Sequence, residues 1–174
     1  MLCEGGIKFQ CASTVWRCWA PLTCKIFIWL ALHYRLWTSE WRFRHELQDQ
    51  TSVCYLCDQE EDIVDHILLQ CVFARHVWFL SCTRLGIDVS ILPTMTDNLE
   101  EWWTRSSKRI HKTYRKGFDA FCILICWNLW KQRNGRVFAS QAIANEWGTA
   151  ELIHQELLRW VLVGGRGVQH LIEE

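Results

Sequence analysis

The sequence predicts a mainly α-helical fold, in which a small helical module is followed by a helical C-terminal region. Apolar side chains fill helix-length segments, most clearly 118–133. Proline occurs only at Pro21 and Pro93, and we find no internal repeat, low-complexity tract or Pro-rich linker. We place the boundary in the segment 86–98, between a first domain over residues 9–85 and a second over residues 97–165.

The first domain is expected to contain three helices. Pro21 starts the first of them, because proline suits the first helical turn, and apolar residues carry this helix on to Leu36. The second helix covers residues 39–47. The third covers residues 73–85 and stops at Gly86.

The second domain is expected to begin with a capped helix. Asp97 is followed three residues later by Glu100, which is the form of a capping box. The helix that it opens is predicted to run to Lys116, with a bend at Gly117.

Two further helices complete the prediction. The first, over residues 118–133, is mostly apolar and should be largely buried. The second, over residues 141–163, is amphipathic and ends at Gly164-Gly165.

Charge is sorted along the chain although the totals cancel. Nineteen basic residues balance nineteen acidic ones, which removes the basic excess typical of a free-standing nucleic-acid binder. Residues 51–100, however, carry a net charge of −6, and residues 101–150 carry +6.

Ten cysteines raise the question of redox state. The N-terminal segment 1–6 lacks the basic start and apolar run of a secretory signal, so we expect reduced thiols in a nuclear or cytoplasmic, not secreted, protein. Such thiols bind metals, react, or pack as small apolar groups. The most apolar stretches, 26–32 and 118–130, are too short to span a bilayer, so no membrane partner is predicted.

Four residues have the spacing of a zinc site: Cys54-x2-Cys57-x8-His66-x4-Cys71. Zinc prefers four thiolate or imidazole ligands in a tetrahedron, and a structural site is closed by protein ligands alone. The alternative is a buried histidine among inert buried cysteines, but four potential ligands at these spacings rarely coincide by chance. With no open coordination position, catalysis at this zinc is not expected.

The last two ligands constrain the local backbone. His66 and Cys71 are five positions apart, about 140° on an ideal α-helix, so they share a face only if the helix begins or ends between them. We therefore predict a helix break near Gln70. The expected fold class is a small zinc-stapled helical module followed by a helical C-terminal region.

Several runs of the sequence resemble the CCHC-type zinc-binding domain of plant non-LTR retrotransposon reverse transcriptases. In the first 85 residues these are 21–30, 35–38, 54–57, 65–71 and 75–78. Three later runs resemble the C-terminal extension that follows this domain in grass elements, namely 115–119, 127–134 and 136–138. The family's metal ligands fall on Cys54, Cys57, His66 and Cys71.

The resemblance implies zinc as cofactor and a role in binding RNA or DNA during target-primed reverse transcription. The chain has no Asp-Asp pair of a polymerase active site, so we expect a non-enzymatic fragment of a reverse transcriptase. We expect its source to be a truncated element copy or a gene-model fragment of one. The alternative is a protein-interaction module, or a decayed remnant, whose zinc serves only folding and whose surface once docked on the polymerase region.

A nucleic acid would avoid the zinc loop, where five carboxylates repel phosphates. We expect contact instead with a basic stripe at three- and four-residue steps, near Trp102, Trp103 and Tyr114. The alternative is a solvated helix face with its tryptophans in the core. The stripe consists of Arg105, Lys108, Arg109, Lys112, Arg115 and Lys116.

The remaining cysteines and tryptophans are interpreted mainly as core. Cys122 and Cys126 lie one helical turn apart among apolar neighbours. Cys18 and Cys24, with His33 or His45, match no zinc spacing. A Cys-His nucleophilic pair lacks a nameable orienting group. The tryptophans expected in the core because they fall in apolar runs are Trp16, Trp19, Trp29, Trp127 and Trp130.

Overall fold

The structure is a computed structural model that describes residues 12–47, 52–138 and 143–172. Within these ranges the chain is helical and forms no β-strand beyond one isolated bridge between Val53 and Glu61. The predicted mainly helical fold class is therefore confirmed. The helices are α1 (Ala12–Arg17), α2 (Leu22–Leu32), α3 (Ser39–Arg44), a π-helical turn (His66–Gln70), α4 (Val72–Arg84), a 3₁₀ turn (Val89–Ile91), α5 (Leu99–Arg109), α6 (Arg115–Phe138), α7 (Glu146–Leu162) and α8 (Arg166–Ile172).

Helix α6 lies at the centre of the fold. It packs against α1, α2, α4, α5, α7, α8 and the π-helical turn. Every residue from Gly117 to Cys126 is buried, because neighbours surround this half of the helix on all sides. One apolar core includes residues from both predicted domains, such as Ile28, Trp78 and Leu124. The π-helical turn, which includes His66, packs directly against α6.

Gly117, where the sequence predicted a bend, instead lies in the first turn of α6, which begins at Arg115. A Cβ atom at this position would lie 2.1 Å from the Gly167 carbonyl oxygen, far inside contact distance. Glycine is needed here because α6 and α8 approach each other closely. Helix α8 was not predicted, and α6 continues past the predicted end at Arg133 to Phe138.

The predicted boundaries of the helix after residue 97 are wrong at both ends. The N-cap is Asn98, whose side chain accepts a hydrogen bond of 2.9 Å from the Glu101 amide. Asp97 instead accepts bonds from the Thr94 amide and from Arg105. The helix ends at Arg109 because the following residue is extended, so it never reaches Lys116.

Other boundaries agree more closely. Pro21 is the N-cap of α2, but this helix ends at Leu32 rather than Leu36, and Tyr34 beyond it is exposed with φ +53°. Helix α3 stops at Arg44, three residues before the predicted end. Helix α4 and its stop at Gly86, with φ +65°, match the prediction.

Helix α7 begins later than predicted. The predicted start, Gln141, lies outside the described residues, and 143–145 are not helical. Asn145 caps the helix by accepting a hydrogen bond from the Gly148 amide. The predicted end is confirmed, with φ +104° at Gly164.

The tryptophans are distributed differently from the prediction. Trp16, expected in the core, is about half exposed, and the other four expected there are only partly buried. The fully buried indoles are Trp78, Trp102 and Trp103, in α4 and α5. The position of a tryptophan in an apolar run of the sequence thus did not predict whether its ring is buried.

In the described ranges, no helix combines the length and the apolar character that crossing a membrane requires.

Candidate metal centre

The structure brings Cys54, Cys57, His66 and Cys71 together around one point. Their ligand atoms all lie within 4.8 Å of one another. The Sγ atoms of Cys54 and Cys71 are 4.0 Å apart, and Cys57 Sγ is 3.3 Å from His66 Nε2. A tetrahedron with Zn–S bonds of about 2.3 Å has S···S edges of about 3.8 Å. Both the donor types and their separations therefore fit a zinc site.

A tight turn aims the first two ligands at this point. The Cys54 carbonyl accepts a 2.8 Å bond from the Asp58 amide, and the Cys54 amide donates to the Glu60 carbonyl at 2.7 Å. Asp58 adopts φ +56°, which aspartate tolerates better than most residues. The Leu56 amide also points at Cys54 Sγ, at 3.4 Å, where it favours the thiolate.

A π-helical turn positions the other two ligands. The Cys71 amide donates to the His66 carbonyl at 2.8 Å, an i→i+5 bond whose wider turn brings residues five apart close to one face. At Cys71 the backbone becomes extended, with ψ 136°, and α4 begins at the next residue. The predicted helix break near Gln70 is thereby confirmed. The π-helical form of the turn before it was not predicted.

The site is buried, and burial affects its charge. Cys54 and Cys71 are inaccessible to solvent, His66 is buried, and Cys57 is half-buried. The neighbouring Cys71 side chain, together with burial, raises the pKa of Cys54 to about 12. A cation bound beside Cys54 would favour its thiolate form.

Residues 54–71, which we term the metal loop, are fixed to α6 by a buried ion pair. The side chains of Asp62 and Arg133 are 0% and 1% exposed. Arg133 Nη2 donates to Asp62 Oδ2, and Nε donates to the same oxygen at 3.1 Å. Ser39 joins them, because its amide donates to Asp62 and its hydroxyl accepts from Arg133. This network links the metal loop to α3 and α6.

Arg136, one turn further along α6, holds the turn between the first two ligands. Its Nη1 donates to the Leu56 carbonyl at 2.9 Å and to the Tyr55 carbonyl at 3.2 Å. Its guanidinium carbon lies 4.7 Å from the centre of the Phe73 ring. The sequence predicts no role for Arg133 or Arg136, because their partners lie some 70 to 80 positions away.

The acidic side chains of the metal loop are not all free surface charges. Asp65 accepts hydrogen bonds from the Leu99 amide at 2.8 Å and from the Tyr34 hydroxyl at 3.0 Å. With Asp62 in its ion pair, two of the five carboxylates fix the loop to its neighbours. Asp58, Glu60 and Glu61 are exposed.

Residues 105–116, which we term the basic corner, do not form the predicted continuous stripe. Arg105 and Lys108 lie on α5, Lys112 lies in the following turn, and Arg115 and Lys116 begin α6. The basic side chains therefore lie around the junction between α5 and α6 rather than along one face of a single helix.

The three arginines of the basic corner are already bonded within the fold. Arg105 pairs with Asp97 at 2.7 Å, and Arg109 donates to the Ser90 carbonyl and hydroxyl. Arg115 donates to the Ser107 and Ile110 carbonyls at the end of α5. The three lysines are exposed: Lys108, Lys112 and Lys116.

The indoles beside the basic corner are part of the core, as the alternative interpretation held. Trp102 and Trp103 are each 1% exposed. Their ring nitrogens donate to the Ile91 carbonyl and to Asp119, both at 2.9 Å. Neither ring is available to stack on a base. Tyr114 is half-buried.

The cysteines of α1–α2 and α6 lie in the core. Burial raises the pKa of both Cys18 and Cys24 to about 12, and it also raises that of Cys122 and Cys126. The core interpretation of Cys122 and Cys126 is confirmed. Across the described ranges, the metal loop supplies the one group of three or more metal-ligating side chains.

The geometry thus defines a Cys3His cluster that fits a zinc site, formed by a turn and a π-helical turn. A family model described as zinc-binding in reverse transcriptase matches residues 1–78, which contain all four ligands. No match was found among the curated proteins or among the solved structures. The matched segment ends within α4, so Arg133, Arg136 and the rest of α6 lie beyond it.

Proposed function

We propose that the chain is a non-catalytic zinc-binding module, derived from the reverse transcriptase of a plant non-LTR retrotransposon, that binds RNA or DNA. One observation carries the zinc assignment: four donors converge within 4.8 Å in a segment similar to a reverse-transcriptase zinc-binding family. The plant and non-LTR origin rests on the sequence resemblance alone.

The zinc has a structural role in this proposal. Cys54, Cys57, His66 and Cys71 fill a tetrahedron, which leaves no position for a reactive water. Mass spectrometry of the purified chain under native conditions should find one zinc per chain. An absence of zinc, or zinc retained in full by a Cys57→Ser variant, would overturn this part of the proposal.

Nucleic-acid binding is supported by the family match and by the exposed lysines of the basic corner. Anisotropy of a labelled single strand of about 20 nucleotides, as RNA and as DNA, should report binding that weakens between about 50 and 200 mM salt. Charge reversal at Lys108, Lys112 and Lys116 should lower the salt slope by about 0.7 for each of these lysines that neutralises a phosphate. Arg159→Glu, on the exposed surface of α7, is the matched control.

A second function, docking on another protein, is favoured by an apolar groove between α4 and α7. Phe79 is about half exposed there, and Trp147 is 66% exposed. The partner would be the polymerase region of a retrotransposon protein. Co-purification with that region, lost on Trp147→Ser and kept on Lys112→Glu, would support docking over nucleic-acid binding.

A further inference from the structure

Three rings form a ladder along α3 and the short segment that leads into it. The Trp37 and Trp41 ring centres are 5.1 Å apart, and Trp41 stacks on His45 with 3.9 Å between centres. Trp37 precedes α3, Trp41 lies within it and His45 is its C-cap, so the ring contacts rather than one helical face define the ladder. Trp37 is 59% exposed, so one end of the ladder is open to solvent.

The open end of the ladder borders a groove of about 700 Å³. Trp130 and Phe138 of α6 form the facing wall, and Arg42 lies at its edge. Ligand pockets of about 300 to 1,000 Å³ are usual, and flat aromatic walls suit a flat ring. The remaining lining residues are Glu46, Leu47, Arg133 and Asn134.

The charge around the ladder favours a polyanion over an apolar protein surface. Residues 35–46 hold three arginines against the two glutamates Glu40 and Glu46, and Glu46 also lines the groove. Arg35 is exposed, and the Arg44 side chain is 75% exposed although it pairs with Glu40. Rings that alternate with guanidinium groups are the arrangement that single-strand binders use, with bases on the rings and phosphates on the cations.

We propose that unpaired bases of a single-stranded nucleic acid stack on Trp37 and enter the groove between α3 and α6. Arg35, Arg42 and Arg44 contact the phosphates on either side. This inference rests on the proposed nucleic-acid binding and assigns its base contacts to a new surface. The 24 residues of α6 span about 35 Å, so the ladder and the basic corner adjoin opposite ends of this helix.

The test uses the zinc-loaded full chain and a labelled oligothymidine of about 20 nucleotides. Trp37→Ala should weaken binding about tenfold, and Trp37→Phe, which keeps a stacking ring, should restore most of it. Trp16→Ala is the matched control, because it removes another exposed indole, on α1, to which no binding role is assigned. Circular dichroism and zinc content should be unchanged in all three variants.

The outcomes separate the two proposals. If the unaltered chain binds neither RNA nor DNA, the proposed function fails and this inference fails with it. If the unaltered chain binds and Trp37→Ala binds equally well, the inference is overturned while nucleic-acid binding stands. Dimerisation in sedimentation velocity that Trp37→Ala abolishes would assign the groove to a second copy of the chain and also overturn the inference.

Discussion

The metal loop and the basic corner carry opposite charges, yet both use many of those charges inside the fold. In the metal loop, Asp62 is paired with Arg133 and Asp65 accepts a bond from the α5 N-terminus. In the basic corner, Arg105 pairs with Asp97. The acidic and basic halves of the sequence are therefore partners of each other. Here the separation of acidic and basic residues along the sequence reflects ion pairs that form between the two segments in the folded structure.

Arginine and lysine also differ in their roles in these two regions. A guanidinium group carries five donors in a rigid fork, so it can bind several backbone carbonyls at once, as Arg115 and Arg136 do. A lysine ammonium is more strongly hydrated and is exposed at Lys112 and Lys116. The lysines of the basic corner are thus the better candidates for phosphate contact.

Loss of the metal should have the largest effect. Zinc contributes roughly 10 to 16 kcal/mol in finger peptides, as much as the whole stability of a typical domain, about 5 to 15 kcal/mol. Chelation, or Cys57→Ser, should therefore unfold the metal loop and the helices packed on it, with a large loss of far-UV circular dichroism. Cys126→Ala, at a buried thiol in α6, should retain one zinc per chain. Unchanged dichroism after chelation would refute a structural zinc.

Breaking the buried ion pair should come next. Asp62→Asn leaves the Arg133 guanidinium buried without its countercharge, which costs about 3 to 5 kcal/mol. Urea unfolding of the zinc-loaded chain measures this loss. A double variant with Arg133→Met should recover much of it, because neither charge is then left alone. A loss of less than about 1 kcal/mol in the free energy of unfolding would mean that the ion pair is exposed to solvent rather than buried.

Arg136→Leu should act on the metal rather than on overall packing. It removes two charge-assisted hydrogen bonds to the turn between Cys54 and Cys57. Zinc affinity, measured by competition with a chromophoric chelator, should fall about tenfold, equivalent to about 1.4 kcal/mol. Arg159→Leu, in the last turn of α7, should leave the affinity unchanged. Equal affinities for both variants would mean that α6 does not support the site.

The smallest effects are expected from single substitutions in the basic corner, where arginine and lysine should have different roles. Arg115→Ala removes bonds to the last carbonyls of α5 and should lower the free energy of unfolding by about 1 kcal/mol, with no change in the salt slope of nucleic-acid binding. Lys112→Ala should do the opposite, leaving stability unchanged and lowering the slope by about 0.7. If both substitutions changed stability and salt slope in the same way, the proposed difference between the arginines and the lysines would be wrong.

Local signals were sufficient for part of the structure. Helix α4 could be placed from its apolar pattern and Gly86, and the four ligands from their spacing. The capping prediction failed because Asp97 and Asn98 are adjacent and both suit an N-cap. The bond of Asp97 to Arg105, and the long-range bond of Asp65 to the Leu99 amide, decide between them.

By itself, the sequence determined the helical class, the identity of the four side chains that cluster at the candidate metal centre and the need for a break before Cys71. These depend on side-chain types and spacings within a few turns of chain. The tertiary structure alone decided which tryptophans are buried, which arginines are bonded and how α6 supports the metal loop. Each of these depends on partners far apart in sequence, such as Arg133 and Asp62, and only the packing of the helices brings them together.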